Sequence, residues 1–257
     1  MARRIIIPAR LNSQRLPKKA LINIHGKPLV QWVYEKALMC QFDSVLVATD
    51  NDRVFDCVKG FGGDVCMTSK DHQSGTDRLA EAANIKGYDQ DDVIVNVQGD
   101  EPLIPASNVK QVADNLIKNT QASVATLGEK ILSLEEVLDP NCVKTVTDKN
   151  GFALYFSRAP IPWVRDQFPN TLPENIDCYR HIGIYAYRCE FLMRYSKLAQ
   201  SPLEQIEKLE QLRVLYHGEK IHFDCANEST PPGVDTQKDL ELVKKLLKKS
   251  NNKNKNL

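Results

Sequence analysis

Short apolar runs alternate with amphipathic stretches along the first half of the chain. The apolar runs are bounded by turn residues, which is typical of buried strands, and occupy residues 4–8, 44–49, 64–67 and 92–97. The amphipathic stretches show helical spacing and occupy residues 29–39, 52–59, 76–85 and 107–117. This alternation predicts βαβ units, and therefore an α/β, Rossmann-like, mostly parallel sheet with helices on both faces.

The pattern changes after residue 130 and returns near residue 218. Residues 143–156 resemble a β-hairpin, residues 158–175 a proline-rich loop and residues 179–187 a strand. The sequence Ser-Pro-Leu-Glu at 201–204 predicts a capped helix, with Leu203, Ile206 and Leu209 on its buried side. A strand at 220–225 and a helix at 236–248 follow.

These patterns divide the chain into four parts. We expect an α/β core at 1–130, an inserted α+β lobe at 131–217 and a return to the core at 218–249. Residues 250–257 are almost entirely asparagine and lysine, a composition that predicts a disordered tail.

Composition narrows the class of protein. The 257 residues are 42% hydrophobic and 26% charged, with a formal net charge of +1, so no global field favours nucleic acid or an anionic membrane. The seven cysteines are odd in number and form no Cys-x-x-Cys pair, which argues against a disulfide framework and a zinc site. The first residues are too short an apolar run for a signal peptide, and no transmembrane stretch follows. We expect a cytoplasmic protein without stable membrane insertion.

A basic loop follows the first predicted strand. It carries Arg10, Arg15, Lys18 and Lys19 at the carboxyl end of that strand, where open α/β sheets bind ligands. Such a group of cations suits a triphosphate, although a solvated basic loop has the same composition. Neither G-x-G-x-x-G nor G-x-x-x-x-G-K-[ST] occurs here, which disfavours a dinucleotide fold and a P-loop.

Two acidic positions are candidates for holding a cation. Asp100 lies just beyond the strand at 92–97, and Gly-Asp-Glu-Pro at 99–102 is equally suited to an ordinary turn. Asp235 precedes the last predicted helix and is, on local pattern alone, more simply its N-cap.

Two further groups carry hydrogen-bonding side chains. His-Gln-Ser-Gly-Thr-Asp-Arg at 72–78 suits contacts to a base and ribose, or a helix cap. The second group has types that bind hydroxyls, although a lone strand histidine is more often structural; it comprises Arg158, His181, Tyr185, Glu210 and Gln211. His181 and Tyr185 are four apart in a predicted strand and should share a face.

Taken in order, these segments resemble one family, the 3-deoxy-manno-octulosonate cytidylyltransferases. The resemblance rests on the motifs at 7–19, 72–78, 95–102, 153–162, 180–187, 201–213 and 232–236. Each motif is weak alone, but the ordered set covers nearly the whole chain. Lys18 and Ala20 depart from the glycine and proline that are usual in the family, and the asparagine-rich tail is not a family feature.

The resemblance implies a reaction and a set of roles. The enzyme would couple CTP to 3-deoxy-D-manno-octulosonate (KDO), giving CMP-KDO and pyrophosphate for lipopolysaccharide biosynthesis, and would work with Mg²⁺ as a homodimer whose lobe binds sugar and contributes to the interface. The implied catalytic residues are Arg10, Lys19, Asp100 and Asp235, with Asp100 and Asp235 as the metal ligands. The implied nucleotide-binding residues are Ala9, Arg10, Arg15, Lys19, Ser74, Gly75 and Gln98. The implied sugar-binding residues are Arg158, His181, Tyr185, Glu210 and Gln211.

Several alternatives stay open at this stage. The acceptor could be 8-amino-KDO or a sialic acid, although Arg15-Leu16-Pro17 disfavours the sialic acid enzymes. A nicotinamide-dependent oxidoreductase should carry G-x-G-x-x-G after the first strand, and this motif is missing there. A non-catalytic nucleotide-binding module would be favoured by loss of Asp100 or Asp235, and both are present.

Overall fold

The computed structural model describes residues 1–11, 16–72, 74–173 and 176–254. The strands in this part of the chain are β1 (Arg3–Pro8), β2 (Asn23–Ile24), β3 (Lys27–Pro28), β4 (Ser44–Thr49), β5 (Val65–Met67), β6 (Val93–Asn96), β7 (Val124–Lys130), β8 (Lys144–Thr147), β9 (Ala153–Ser157), β10 (Tyr179–Arg188) and β11 (Ile221–Cys225). The α-helices are α1 (Leu29–Leu38), α2 (Asp52–Gly60), α3 (Gly75–Ile85), α4 (Ala106–Lys118), α5 (Leu134–Leu138), α6 (Cys189–Tyr195), α7 (Pro202–Glu207), α8 (Gln211–Tyr216) and α9 (Gln237–Asn254).

One large sheet organises the molecule, and it confirms the predicted fold class. Its main path runs β11-β7-β10-β6-β1-β4-β5, with β8 and β9 attached through β10. Strand β1 is parallel to β4 and β6, β4 to β5, and β7 to β11. Strand β10 is antiparallel to both β6 and β7. The carboxyl ends of β1 and β6 therefore meet at one edge, where the candidate residues of the first half lie.

Strand β1 shows why the sheet must be covered on both faces. Ile5, Ile6 and Ile7 are consecutive and completely buried, so neighbouring side chains that point in opposite directions both need an apolar layer. Ile5 and Ile7 pack in the cluster formed with α1 and α4. Ile6 packs in the cluster formed with α3 and α6. The helices lie on both faces, as the alternating pattern predicts.

The segment 131–217 is less separate from the core than the sequence suggests. Its strand β10 lies inside the main sheet, with Tyr185 opposite Asn96 of β6 and Thr126 of β7. Ile184 and Ala186 of β10 are buried in the same apolar cluster as the core strands. A strand with this apolar content is stabilised between two partners, so it completes the core sheet while β8 and β9 extend outward from it.

The helix at Ser201 begins as predicted but buries a different face. The Ser201 hydroxyl accepts the Glu204 N–H and the Glu204 carboxylate accepts the Ser201 N–H, which forms the expected capping box. Leu203 and Ile206, however, are 40% and 78% exposed, so the prediction that both are buried is wrong. The inward position belongs to Glu204, which is buried and pairs with Arg213 of α8. An ion pair thus takes the place expected for an apolar contact.

The last helix extends beyond its predicted end at Lys248. It continues to Asn254, into the tail predicted to be disordered, because no glycine or proline interrupts residues 249–254. Residues 255–257 lie outside the described part of the chain. Leu240, Val243 and Leu247 attach the helix to Ile24 and Leu29. Within the described residues, no helix is both long and apolar enough to cross a membrane.

Candidate active site

Two loops meet at the carboxyl edge of the sheet. The loop after β6 passes so close to β1 that a Cβ on Gly99 would lie 2.7 Å from the Pro8 carbonyl oxygen, so only glycine fits there. The loop before α9 lies against it, with the Val234 N–H donating to the Asp100 carbonyl oxygen at 2.8 Å. This contact brings Asp235 beside Asp100, although the two residues are far apart in sequence.

Lys19 lies between these two aspartates. Its Nζ is 2.5 Å from Asp100 Oδ2 and 2.9 Å from Asp235 Oδ1. A short 3₁₀ helix, Lys19–Leu21, places the side chain there after Lys18 adopts a left-handed backbone conformation. Burial lowers the pKa of Lys19, but the attraction of both carboxylates and their hydrogen bonds outweigh it and raise the pKa. The lysine is therefore a fixed cation at the centre of the site.

The two carboxylates suit a divalent cation. Their oxygens converge on a single point, the position of the Lys19 ammonium. No group of three or more His, Cys, Asp or Glu side chains that could hold a metal occurs within the described residues. A cation at this point would therefore have few protein ligands and would need ligand or water oxygens as well. Mg²⁺ prefers that donor set, so the residues present fit it.

Glu101 is a third carboxyl group that the sequence analysis did not assign. It lies beside the aspartates and lines the adjoining cavity. Burial, followed by the charges of Asp100 and Asp235, raises the pKa of Glu101 to about 8. The carboxyl group is therefore largely neutral at pH 7. Its position next to Asp100 in the sequence was the only available signal.

The basic loop is divided between the centre and the edge of this site. Arg10 is exposed, and its Nη2 donates to the His72 carbonyl oxygen at 3.2 Å. Ala9 is buried, and its N–H donates to the Ala48 carbonyl oxygen at 2.9 Å. The position predicted for Arg15 lies outside the described residues.

A cavity of about 320 Å³ lies beside the lysine–aspartate centre, between β6, β10 and the segment α7–α8. Five of the predicted binding residues line it: Gly75, Gln98, Tyr185, Glu210 and Gln211. Its wall also includes residues that the sequence analysis did not assign, namely Thr76, Asn96, Glu101 and Tyr187. The structure therefore brings together residues from both halves of the chain.

Ser74 caps a helix, which was the second interpretation of the motif at 72–78. Its hydroxyl oxygen accepts the Asp77 N–H at 3.0 Å and its O–H donates to Asp77 Oδ2 at 2.8 Å, so it caps α3. The cap fixes the start of α3, where Thr76 donates to Glu210 Oε2 at 2.9 Å. This bond connects the core to the helices of the second half across the cavity.

His181 and Tyr185 come together by a different geometry from the one expected. Strand β10 is irregular between them. His181 pairs with Gly128 and Tyr185 pairs with Thr126, so a step of four residues along β10 corresponds to a step of two along β7. The irregularity brings their ring centroids to 5.1 Å. His181 Nε2 lies 2.8 Å from Thr126 Oγ1, and burial lowers the pKa of His181 to about 4. The imidazole is therefore a neutral hydrogen-bonding group behind Tyr185.

This lowered pKa predicts a pH effect on stability. Unfolded histidine takes up a proton near pH 6.5, whereas folded His181 does so only near its pKa of about 4. The contribution of neutral His181 to the free energy of unfolding should therefore be fully present above pH 6.5 and decrease as the pH falls towards 4. Urea unfolding of the wild type should show a steeper loss across this range than His181→Gln. Equal slopes for the two proteins would contradict a neutral, buried imidazole.

Arg158 lies outside the cavity wall. Its Nε donates to the Glu207 carbonyl oxygen at 2.7 Å and its Nη1 donates to the Pro140 carbonyl oxygen at 2.9 Å. Its backbone N–H also donates to Glu207 Oε2 at 3.0 Å. In this conformation the arginine ties the end of β9 to α7, and it is not brought together with the other predicted sugar-binding residues.

Comparison with known proteins places this site in a family. A family model described as cytidylyltransferase matches residues 4–221. The chain belongs to the cytidylyltransferase family. It is therefore a nucleotidyltransferase, as the ordered motifs predict.

Individual cytidylyltransferases resemble the chain over almost their whole length. It is 57% identical over 245 residues to a 3-deoxy-manno-octulosonate cytidylyltransferase of Vibrio vulnificus strain YJ016, covering 95% of this chain and 97% of that one. It is 58% identical over 248 residues to the enzyme of the same name from Aeromonas hydrophila, covering 95% and 98%. A solved CMP:2-keto-3-deoxy-manno-octonic acid synthetase in complex with CTP superimposes with a TM-score of 0.89 at 42% identity, covering 97% of this chain and all of that one.

Proposed function

We propose that the protein transfers CMP from CTP to KDO, releasing pyrophosphate, and so supplies activated sugar for lipopolysaccharide biosynthesis. The observation that carries the proposal is the Lys19–Asp100–Asp235 centre directly beside a polar cavity of about 320 Å³. The centre suits a triphosphate with its cation, and the cavity suits a polyhydroxylated acid. The names of the relatives at 57% and 58% identity support the same pair of substrates.

The nucleotide would lie along the carboxyl edge of β1. Arg10, Arg15 and Lys19 would neutralise the phosphates, and buried Ala9 would lie against the nucleotide. Gly75 and Gln98 would border the junction of the nucleotide with the sugar, and Ser74 would act through its cap on α3. Arg10 is exposed, and its guanidinium donates to the His72 carbonyl oxygen at the surface, so it can reorient towards an incoming phosphate.

Asp100 and Asp235 would hold Mg²⁺. Held by these two carboxylates, Mg²⁺ would supply positive charge to the phosphates and to the phosphoryl group. The ammonium of Lys19 must then move off the carboxylates, and the phosphate oxygens are its next available partners. Lys19 therefore holds the two aspartates in position before the substrate arrives and contacts the triphosphate afterwards.

In the reaction, the anomeric hydroxyl oxygen of the sugar acid attacks the α-phosphorus of CTP. A new oxygen–phosphorus bond forms, the bond to the bridging oxygen of the pyrophosphate breaks, and the hydroxyl proton passes to solvent water. The protein contributes position and charge: Lys19 and Arg10 face developing negative charge, and the cavity orients the acceptor. Tyr185, Glu210 and Gln211 would bind the sugar, with His181 supporting Tyr185. Arg158 would join them only by leaving its carbonyl partners.

A pyrophosphate-release assay tests the proposal. CTP, UTP, ATP and GTP are each combined with KDO, 8-amino-KDO, a sialic acid and a neutral sugar phosphate, in the presence of Mg²⁺. We expect pyrophosphate release only when CTP is combined with KDO. Preferential activity with 8-amino-KDO or a sialic acid would change the acceptor, and activity with UTP and a neutral sugar phosphate would overturn the proposal.

We also propose that the protein works as a homodimer through its second half. Leu154 of β9 and Leu203 and Ile206 of α7 are exposed aliphatic side chains on elements joined by the Ser157–Glu207 hydrogen bond. Ile206→Asp should therefore shift the sedimentation coefficient from dimer to monomer. Leu38→Asp, at an exposed leucine of α1, is the matched control and should leave it unchanged. A monomeric wild type, or an equal shift in both variants, would contradict this surface.

The cytoplasm is the compartment that we propose. All seven cysteines are free thiols, which suits a reducing environment. The substrate CTP belongs to the same compartment.

A further inference from the structure

One polar side chain in the cavity wall has no role in the site described above. Asn96 is the last residue of β6, and its side chain is 3% exposed. Its backbone is held between β1, opposite Ile6, and β10, opposite Tyr185. The strand is otherwise apolar, with Val93, Ile94 and Val95 before it completely buried. An amide at this position is therefore unusual for a central strand.

The side-chain oxygen of Asn96 is not satisfied by the described part of the protein. Its Oδ1 is buried and has no hydrogen-bond partner among the residues that the structure describes. Leaving a buried carbonyl oxygen unpaired costs about 1–3 kcal/mol in general, so such groups are rare in folded proteins. A valine here would continue the apolar strand without this cost. The unpaired amide oxygen therefore favours a ligand as its partner.

The surroundings define the group that such a ligand must present. The ionisable side chains on the same wall are Glu101, Glu210, Lys208 and the three tyrosines 185, 187 and 195. An ionised carboxylate or phosphate has no proton to donate to the amide oxygen of Asn96, and the triphosphate has its own cations at Lys19 and Arg10. A hydroxyl group both donates and accepts, so it can bond to either end of an amide. The wall suits a neutral hydroxyl.

We propose that Asn96 is a substrate-binding residue that hydrogen-bonds one ring or side-chain hydroxyl of the sugar acid. The inference rests on the proposed function, and it adds to that function a fixed polar contact on the central sheet. The contact lies on a β-strand paired on both sides, so its position is rigid. Burial then makes it selective: an analogue without the hydroxyl leaves the amide unpaired, whereas the natural acid satisfies it.

The test combines two variants with sugar analogues. Asn96→Ala removes the amide. Asn108→Ala is the matched control, because Asn108 is a fully buried asparagine whose Nδ2 donates to the Glu228 carbonyl oxygen and whose Oδ1 accepts the Glu228 N–H. Asn108→Ala should lower the melting temperature by about 2–8 °C and leave KM unchanged. Asn96→Ala should change the melting temperature by less than about 2 °C and raise KM for KDO at least about tenfold, with KM for CTP unchanged.

The 4-, 5-, 7- and 8-deoxy analogues of KDO then identify the hydroxyl. In the wild type, one analogue should lose about 10–100-fold in kcat/KM, and in Asn96→Ala that analogue and KDO should react equally well. Equal penalties in wild type and variant for every analogue, or a rise in KM for CTP alone, would overturn the inference. Wild-type turnover of CTP and KDO in the same assay tests the proposed function separately. If the wild type turns over KDO and Asn96→Ala is unaffected, only the inference about Asn96 fails.

Discussion

Asp100→Asn and Asp235→Asn should each reduce pyrophosphate release by at least about 10²–10³-fold while the protein stays folded. Both changes keep the size of the side chain and remove its charge. Each carboxylate holds Lys19 in the free protein and would hold Mg²⁺ in the complex, so removing either charge disturbs the same point. The loss should appear in kcat, because the negative charge on the phosphate oxygens that needs stabilising is greatest while the nucleotidyl group is being transferred.

Stability separates this effect from a folding defect. The side chains of Asp100 and Asp235 are partly exposed, so neutralising either one should change the melting temperature little. Asp114→Asn is the matched control, since Asp114 pairs with Arg3 at the surface of α4 away from the site. Its turnover should equal that of the wild type. Near-wild-type pyrophosphate release at saturating Mg²⁺ by either site variant would refute the assignment of that aspartate.

Arg213→Met should cause the largest loss of stability among the ion pairs described here, about 3–5 kcal/mol, or a fall in melting temperature of about 6–20 °C. Arg213 and Glu204 are both buried, and the guanidinium donates two hydrogen bonds, Nε to Oε2 at 2.8 Å and Nη2 to Oε1 at 2.5 Å. Removing the arginine leaves a carboxylate buried without its partner. The hydrogen bond to Glu204 also raises the pKa of Arg213, so the pairing favours the charged form of the arginine.

An exposed ion pair of the same length provides the control. Lys130 Nζ lies 2.5 Å from Asp177 Oδ1, but both side chains are about half exposed. Lys130→Met should leave the melting temperature unchanged, because solvent screens an exposed pair. The double variant Glu204→Leu/Arg213→Met should recover much of the lost stability, since neither charge is then buried alone. Similar shifts for Arg213→Met and Lys130→Met in thermal and urea unfolding would show that burial is not the cause.

The ion pair between Glu204 and Arg213 also connects the start of α7 to the wall of the cavity. It joins α7 to α8, and α8 begins at Gln211, which lines the cavity next to Glu210. The sequence motif at 201–213 therefore combines two parts: Ser201 and Glu204 build the helix start, and Glu210 and Gln211 line the cavity. The capping box was visible in the sequence, but the partner of Glu204 was not, because a Ser-x-x-Glu pattern carries no information about burial.

The elements of the first half of the chain followed directly from local physics. Three consecutive isoleucines in β1 can be satisfied only by a strand covered on both faces, and the alternation of such runs with amphipathic helices leads to a mostly parallel sheet. The basic loop and Asp100 each follow such a strand, and the parallel pairing of β1 with β6 in the structure brings Lys19 and Asp100 to one edge. The ordered motifs predicted the cytidylyltransferase family, and the resemblance implied a role for each candidate site residue.

Only the tertiary structure decided how distant residues meet. Asp235 reaches Lys19 because the Val234–Asp100 hydrogen bond docks one loop on another, a long-range contact that no local pattern specifies. The irregularity in β10 brings His181 to Tyr185, and packing against α8 turns Glu204 inward and Leu203 outward. No local pattern marks Asn96, and only the structure shows that its buried oxygen lacks a partner among the described residues. Sequence determines which elements form, whereas burial and pairing, which depend on all elements together, decide what each side chain does.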